Sequence, residues 1–170
     1  MKDSVKLMGG LGSLFIVLGV IPYIGALLSL AGFVLLIIAI KNYSEEEGRP
    51  ELVSKFVKGI VISFIGELLG GVVAGVGAGM YGEGHGFVGG ALAGIGFLII
   101  YIASIFGYNF IKDVFTEIAL LTGNNLFEWA GKLFFWGALL LIILIGGALI
   151  WIGWIVATAA FFTTQSVESE

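Results

Sequence analysis

The hexapeptide Gly84-His85-Gly86-Phe87-Val88-Gly89, GHGFVG, has the glycine spacing of a turn that cradles the pyrophosphate of a dinucleotide. That chemistry needs a strand before the turn, a helix after it and an acidic residue about 20 positions on to hold the ribose. Here the turn follows a long apolar run, GELLGGVVAGVGAGM, with no strand pattern and no ribose-binding acid in the right context. The nucleotide reading fails. His85 is the single histidine and stands near Glu83. A catalytic metal usually takes three protein ligands. This pair is therefore expected to be a solvated turn, and no metal or other cofactor is expected.

Glu67 is the sharper candidate. It lies inside GIVISFIGELLGGVV, roughly three helical turns beyond Lys58. A carboxylate within an apolar span costs several kcal/mol unless it is protonated, paired or wetted, and such residues often mark proton or ion paths. Two readings stay open. Glu67 is a group on such a path, or it is a protonated acid hydrogen-bonded to a neighbouring span, with Ser13, Ser29 and Ser104 as candidate partners. No second acid inside a span partners it, and there is no HExxH, no phosphate loop with lysine and no Ser-His-Asp set on one side of a membrane. The chain is not expected to be an enzyme.

The elements that position these residues follow from composition. Of 170 residues, 59% are hydrophobic and only 12% charged, and the mean hydropathy is +1.10. Too little charge remains to cover a soluble surface. Runs longer than the roughly 20 residues that span a hydrocarbon core make this an integral membrane chain. The absence of cysteine excludes disulfides, thiol catalysis and thiolate metal sites. The net charge of −4 comes without a dense basic stretch, so no nucleic-acid partner is expected.

Residues 7–40 would measure about 50 Å as one helix, too long for a core of about 30 Å. Pro22 breaks this run, with Gly19 and Gly25 on either side. The sequence thus predicts spans at about 5–20 and 24–41 in a Pro-Tyr hairpin, then 57–80, 88–110 and 134–160. The expected architecture is all-α, a polytopic integral membrane helix bundle of about five transmembrane helices forming one domain over 1–170. Five crossings with a cytoplasmic amino terminus put all eight basic residues on the cytoplasmic side, as the positive-inside bias requires, and leave the carboxyl terminus external with Glu83, His85 and the acidic tail. The signal-peptide-like start is read as a retained span. Residues 111–132 form a cytoplasmic amphipathic segment expected near the headgroups, broken at Gly123, with Asn125 and Glu128 as a capping box. Trp151 and Trp154 are expected at the outer end of the last span. No long-period repeat is visible.

Glycines recur every fourth residue at Gly71, Gly75 and Gly79 and again at Gly86, Gly90 and Gly94. That spacing aligns small residues on one helix face, where backbones can approach closely in lipid. Close packing of the third and fourth spans is the simpler expectation; an oligomer contact or a backbone-lined pore is the functional one.

The stretch KLMGGLGSLFIVLGVIPYIGALLSLAGFVLLIIAIKNYSEEE resembles the amino-terminal pattern of domain-of-unknown-function family 996, found largely in archaea. The resemblance rests on the glycine-rich first span, the Pro22-Tyr23-Ile24-Gly25 turn and the second span with its polar tail, about the first quarter of the chain. It implies a small multispan protein of a prokaryotic plasma membrane and lends no activity or site residues. The expected function is that of a scaffold or accessory subunit acting through helix contacts, with lipid around it and a second copy or another membrane protein as partner. The alternative is a channel or carrier for a small solute or ion using Glu67.

Overall fold

The computed structural model describes residues 1–165 and is all helical, with no strand among the described residues. Six helices follow one another: α1 (Asp3–Val17), α2 (Gly25–Glu46), α3 (Glu51–Gly82), α4 (Gly86–Thr122), α5 (Asn125–Leu139) and α6 (Ile145–Thr163). Short 3-10 turns at Leu18–Val20 and Leu140–Ile143 extend α1 and α5. All six are long and apolar enough to cross a membrane. They pair as three hairpins, α1 with α2, α3 with α4 and α5 with α6, while α4 also packs on α5 and α6 on α1.

The stretch 134–160, expected as one span, is divided between α5 and α6. The turn falls at Leu144, whose φ of 63° is left-handed. Gly146 presses back on the Gly137 carbonyl so closely that no side chain would fit there. The first hairpin turns by the same means: Tyr23 has φ 69°, and Gly25 presses on the Gly19 carbonyl. In each case the left-handed residue is followed by Ile-Gly, a local likeness that no long repeat announces. The extra helix also moves the end of the chain. Gly9 of α1 lies against Phe161 of α6, and Trp151 Nε1 donates to the Val17 carbonyl at 3.0 Å. α6 therefore runs antiparallel to α1, and the described end of the chain shares one end of the bundle with Met1. The five-span expectation had put them on opposite sides; the acidic tail from 166 onward lies outside the described residues.

Residues 111–132, expected as an amphipathic segment near the headgroups, continue α4 to Thr122 and open α5 at Asn125. They supply the core. Val114, Phe115 and Ile118 of α4 and Phe127 and Ala130 of α5 are fully buried. The Phe115 ring is surrounded by those of Phe56, Phe127, Phe134, Trp154 and Phe161, at centroid distances of 5.4–6.5 Å. Gly123, with φ 69°, ends α4 as a left-handed cap. The cap of α5 is Asn124 rather than Asn125. Its Oδ1 accepts the Leu126 N–H at 3.0 Å, and its Nδ2 donates to the Ala160 carbonyl and to Thr164 Oγ1, each at 3.0 Å. One side chain thus satisfies the start of α5 and the end of α6.

The α3–α4 hairpin is close-packed through a different glycine face from the one expected. Gly59, Gly66, Gly70 and Gly77 on α3 meet Gly107, Ala103, Gly96 and Ala93 on α4 in antiparallel order. Steps of seven, or of three or four residues, hold this seam on one side of each helix, like the core positions of a coiled coil. Gly71, Gly75, Gly79 and Gly94 have nothing within 4 Å of where a Cβ would stand, and Gly86 and Gly90 meet only the edge of Tyr81. A strict four-residue step drifts around the helix relative to the contact line.

Candidate functional site

α2 and α3 meet around the buried residues Tyr43, Leu52 and Phe56 next to their connecting turn. They share far less contact than any other consecutive pair of helices. Away from the turn they part, and a cleft of about 570 Å³ opens between them. One wall is α2, through Ser29, Leu30, Phe33 and Ile37; the other is α3, through Ile60, Ser63, Phe64 and Glu67. Tyr108 and Ile111 of α4 and Trp154 of α6 form the floor.

Glu67 is exposed to this cleft, and among the described residues no hydrogen bond or ion pair engages it. Of the three serines considered as its partners, only Ser29 lines the same space. Ser13 donates to the Gly9 carbonyl at 2.9 Å inside α1, and Ser104 is buried on α4 and is not part of the cleft lining. Ser63 is only 9% exposed, and its hydroxyl has no hydrogen-bond partner. The Oγ sits where a Cβ on Gly107 would go, so a weak Cα–H···O contact across the seam is the interaction open to it.

The floor was not legible in the sequence. Trp154, expected at an outer interface, is 3% exposed and stands edge-on to Phe33 at 5.8 Å and tilted against Phe134 at 4.5 Å. Tyr108 stacks on Phe134 at 5.9 Å. Trp154 sits within a long apolar run and Tyr108 at the end of one, beside Asn109, and the helix phase that the packing sets distinguishes inward from outward.

Other polar side chains tie elements together. Arg49 donates to Glu117, and Lys55 reaches the same carboxylate at 3.5 Å, tying the α2–α3 turn to α4. These groups are partly exposed, which limits each pair to about 1 kcal/mol or less. His85 precedes α4, its carbonyl accepting the Gly89 N–H at 2.8 Å, and Glu83 follows α3. Among the described residues no group of three histidine, cysteine or acidic side chains is placed to hold a metal ion.

Five lysines set the depth of Glu67. Gly59 packs on Gly107 and Ile111, which levels Lys58 with Lys112; Gly131 packs on Lys112 itself, which brings in Lys132. Gly12 packs on Gly32 and Leu36, levelling Lys6 with Lys41, and the short turn after α2 returns α3 to the same height. Above this level α3 and α4 continue for about 35–40 Å, whereas α1, α2 and α5 turn after about 17–25 Å, at 1.5 Å per residue. The tips of the shorter hairpins are apolar and exposed, through Val20 to Ile24 and Ile142 to Ile145.

A family model described as Protein of unknown function (DUF996) matches residues 28–155. The chain is also similar to the Uncharacterized protein MJ1644 of Methanocaldococcus jannaschii, with 30% identity over 166 residues, covering 94% of this chain and 91% of that protein. No solved structure matches. An all-helical, apolar bundle with an archaeal relative similar over nearly the whole of both chains, and with the family pattern running from α2 into α6, belongs to the family of unknown function DUF996.

Proposed function

We propose that this is a non-enzymatic protein of the cell membrane that works through helix contacts, and that its contact face is the upper part of the α3–α4 hairpin. The observation that carries this is the open glycine face. Gly71, Gly75 and Gly79 begin at about the height where the flanking hairpins end, and they touch nothing. Each glycine costs a helix roughly 0.5–1 kcal/mol relative to alanine. A face of them outside the intramolecular seam is offset by close approach of another backbone, the role small residues play in lipid. The partner proposed is a second copy of this chain. With no native cysteine, a Gly75→Cys variant in its own membrane should give a disulfide-linked dimer under mild oxidation, and adding Gly79→Leu should abolish it. A monomer under both conditions would sink this reading.

Topology follows from the charges. The basic residues all fall at or below the lysine level, and beyond it, among the described residues, the acidic and histidine side chains near a helix end are Glu83 and His85 at the α3–α4 turn. With positive charge inside, both the amino terminus and the end of α6 are cytoplasmic and the three hairpin tips point outward. An impermeant thiol reagent on intact cells should label His85→Cys, whereas Glu47→Cys and Gln165→Cys should react only after lysis. Labelling of Gln165→Cys in intact cells would return the carboxyl end to the outside.

A second reading, a carrier for a small solute or ion, is favoured by one feature: the exposed, unpaired Glu67 in the α2–α3 cleft.

A further inference from the structure

We propose that the α2–α3 cleft is a binding site for a lipophilic organic cation, a molecule with an apolar body and a single monovalent cationic group, admitted sideways from the bilayer.

The charge of the ligand follows from Glu67. It stands nine residues above Lys58, about 13 Å along α3 and so close to the midplane of a hydrocarbon core of about 30 Å. No cationic side chain lines the cleft. Lys112, below on α4, is already engaged with Asn109 at 3.3 Å, Asp113 at 3.5 Å and the ring of Phe135 at 4.8 Å. A cation brought in by the ligand gives the carboxylate the partner that its own helices withhold.

The apolar body follows from the walls. Leu30, Phe33, Val34, Ile37, Ile60 and Phe64 line the rest of the cleft with hydrocarbon. The volume of about 570 Å³ falls within the range of pockets that enclose small organic molecules. Tyr108 and Trp154, packed on Phe134 and Phe33, bring two aromatic rings to the floor of the cleft, and aromatic rings attract a desolvated cation. An inorganic divalent ion does not fit, because it takes six or more oxygen ligands and the cleft supplies one carboxylate and a few hydroxyls. The entry route follows from the helix pairing: α2 and α3 are joined at the cytoplasmic end and parted above it, so the opening lies between two helix flanks.

The inference rests on the cleft reading of Glu67 and is independent of the docking of two copies. The test uses the full chain in lipid nanodiscs, with empty nanodiscs subtracted, and two probes of the same shape and opposite charge, tetraphenylphosphonium and tetraphenylborate. Tetraphenylphosphonium should bind saturably and tetraphenylborate should not. Glu67→Gln should weaken binding by about tenfold or more, as loss of one member of a desolvated charge pair does. Ala26→Phe, which adds a ring on the α2 wall of the cleft and leaves Glu67 in place, should abolish it. Thermal melting of each variant reports the fold separately, and the two-probe comparison on the unaltered chain decides the matter even where a variant does not fold. Absence of saturable binding, equal binding of the borate, or undiminished binding by a folded Glu67→Gln would overturn the proposal. Saturable, Glu67-dependent binding without flux of the same probe across proteoliposomes supports the site and removes the carrier.

Discussion

Gly70→Leu should lower the stability of the bundle by about 3 kcal/mol, the upper part of the range for overpacking a close-packed contact. A Cβ at Gly70 would lie 2.5 Å from the Gly96 carbonyl oxygen, 2.6 Å from Ile100 Cγ1 and 3.0 Å from the Ile100 nitrogen. Two of these are backbone atoms of α4, which no rotamer change can move aside. The helices have to separate, and the contacts of the neighbouring Gly66 and Gly77 go with them. Gly75→Leu makes the informative contrast, because a side chain there meets open space. It should leave the melting of the monomer unchanged while reducing the dimer. Thermal unfolding in mild detergent together with size analysis reads both effects. A Gly75→Leu variant as unstable as Gly70→Leu would mean that the seam described here is the wrong one.

Phe115→Ala should cost about 3–5 kcal/mol, the usual range for emptying the site of a fully buried aromatic ring. Phe115 is 0% exposed, and its neighbours come from α3, α5 and α6, so one ring joins four helices at the end of the bundle that carries the lysines. The loss should appear as a lower melting temperature and as a weaker near-ultraviolet signal from Trp154, whose ring lies 6.5 Å away. A loss below about 1 kcal/mol would show that the core closes over the gap or is centred elsewhere.

The sequence was most informative where polar residues or proline interrupt it. Pro22 marks a break, and the chain turns beside it; Gly48 to Pro50 and Gly82 to Gly86 separate helices and are visibly polar or glycine-rich. The turn at Leu144 lies in LLLIILIGGALI, where every residue suits a span. Only the close approach of Gly146 to Gly137 reveals it, and that contact joins positions whose pairing cannot be read before the helices are placed. Helix phase was obscured in the same way. In soluble helices a polar face shows which side is inward, but here both sides of α3 and α4 are apolar, and two glycine series compete for the seam. The regular series at Gly71, Gly75 and Gly79 was the more conspicuous, and the mixed steps from Gly59 to Gly77 made the contact. Glu67 stood out because a single charge in such a run has no ordinary explanation. The space beside it was hidden because it is made by α2 and α3 failing to meet.

The unequal heights of the three hairpins bear on the lipid as much as on the protein. Beside the shorter hairpins the apolar wall falls below the resting thickness of a bilayer, and beside α3 and α4 it rises above it. Acyl chains cannot leave a gap at either wall, so the leaflet at the hairpin tips slopes around the circumference of one molecule, at a cost of fractions of a kcal/mol for each ångström of mismatch. Two molecules that share their tall sides share one raised rim instead of maintaining two. The elasticity of the surrounding leaflet therefore favours association on the same side as the open glycines.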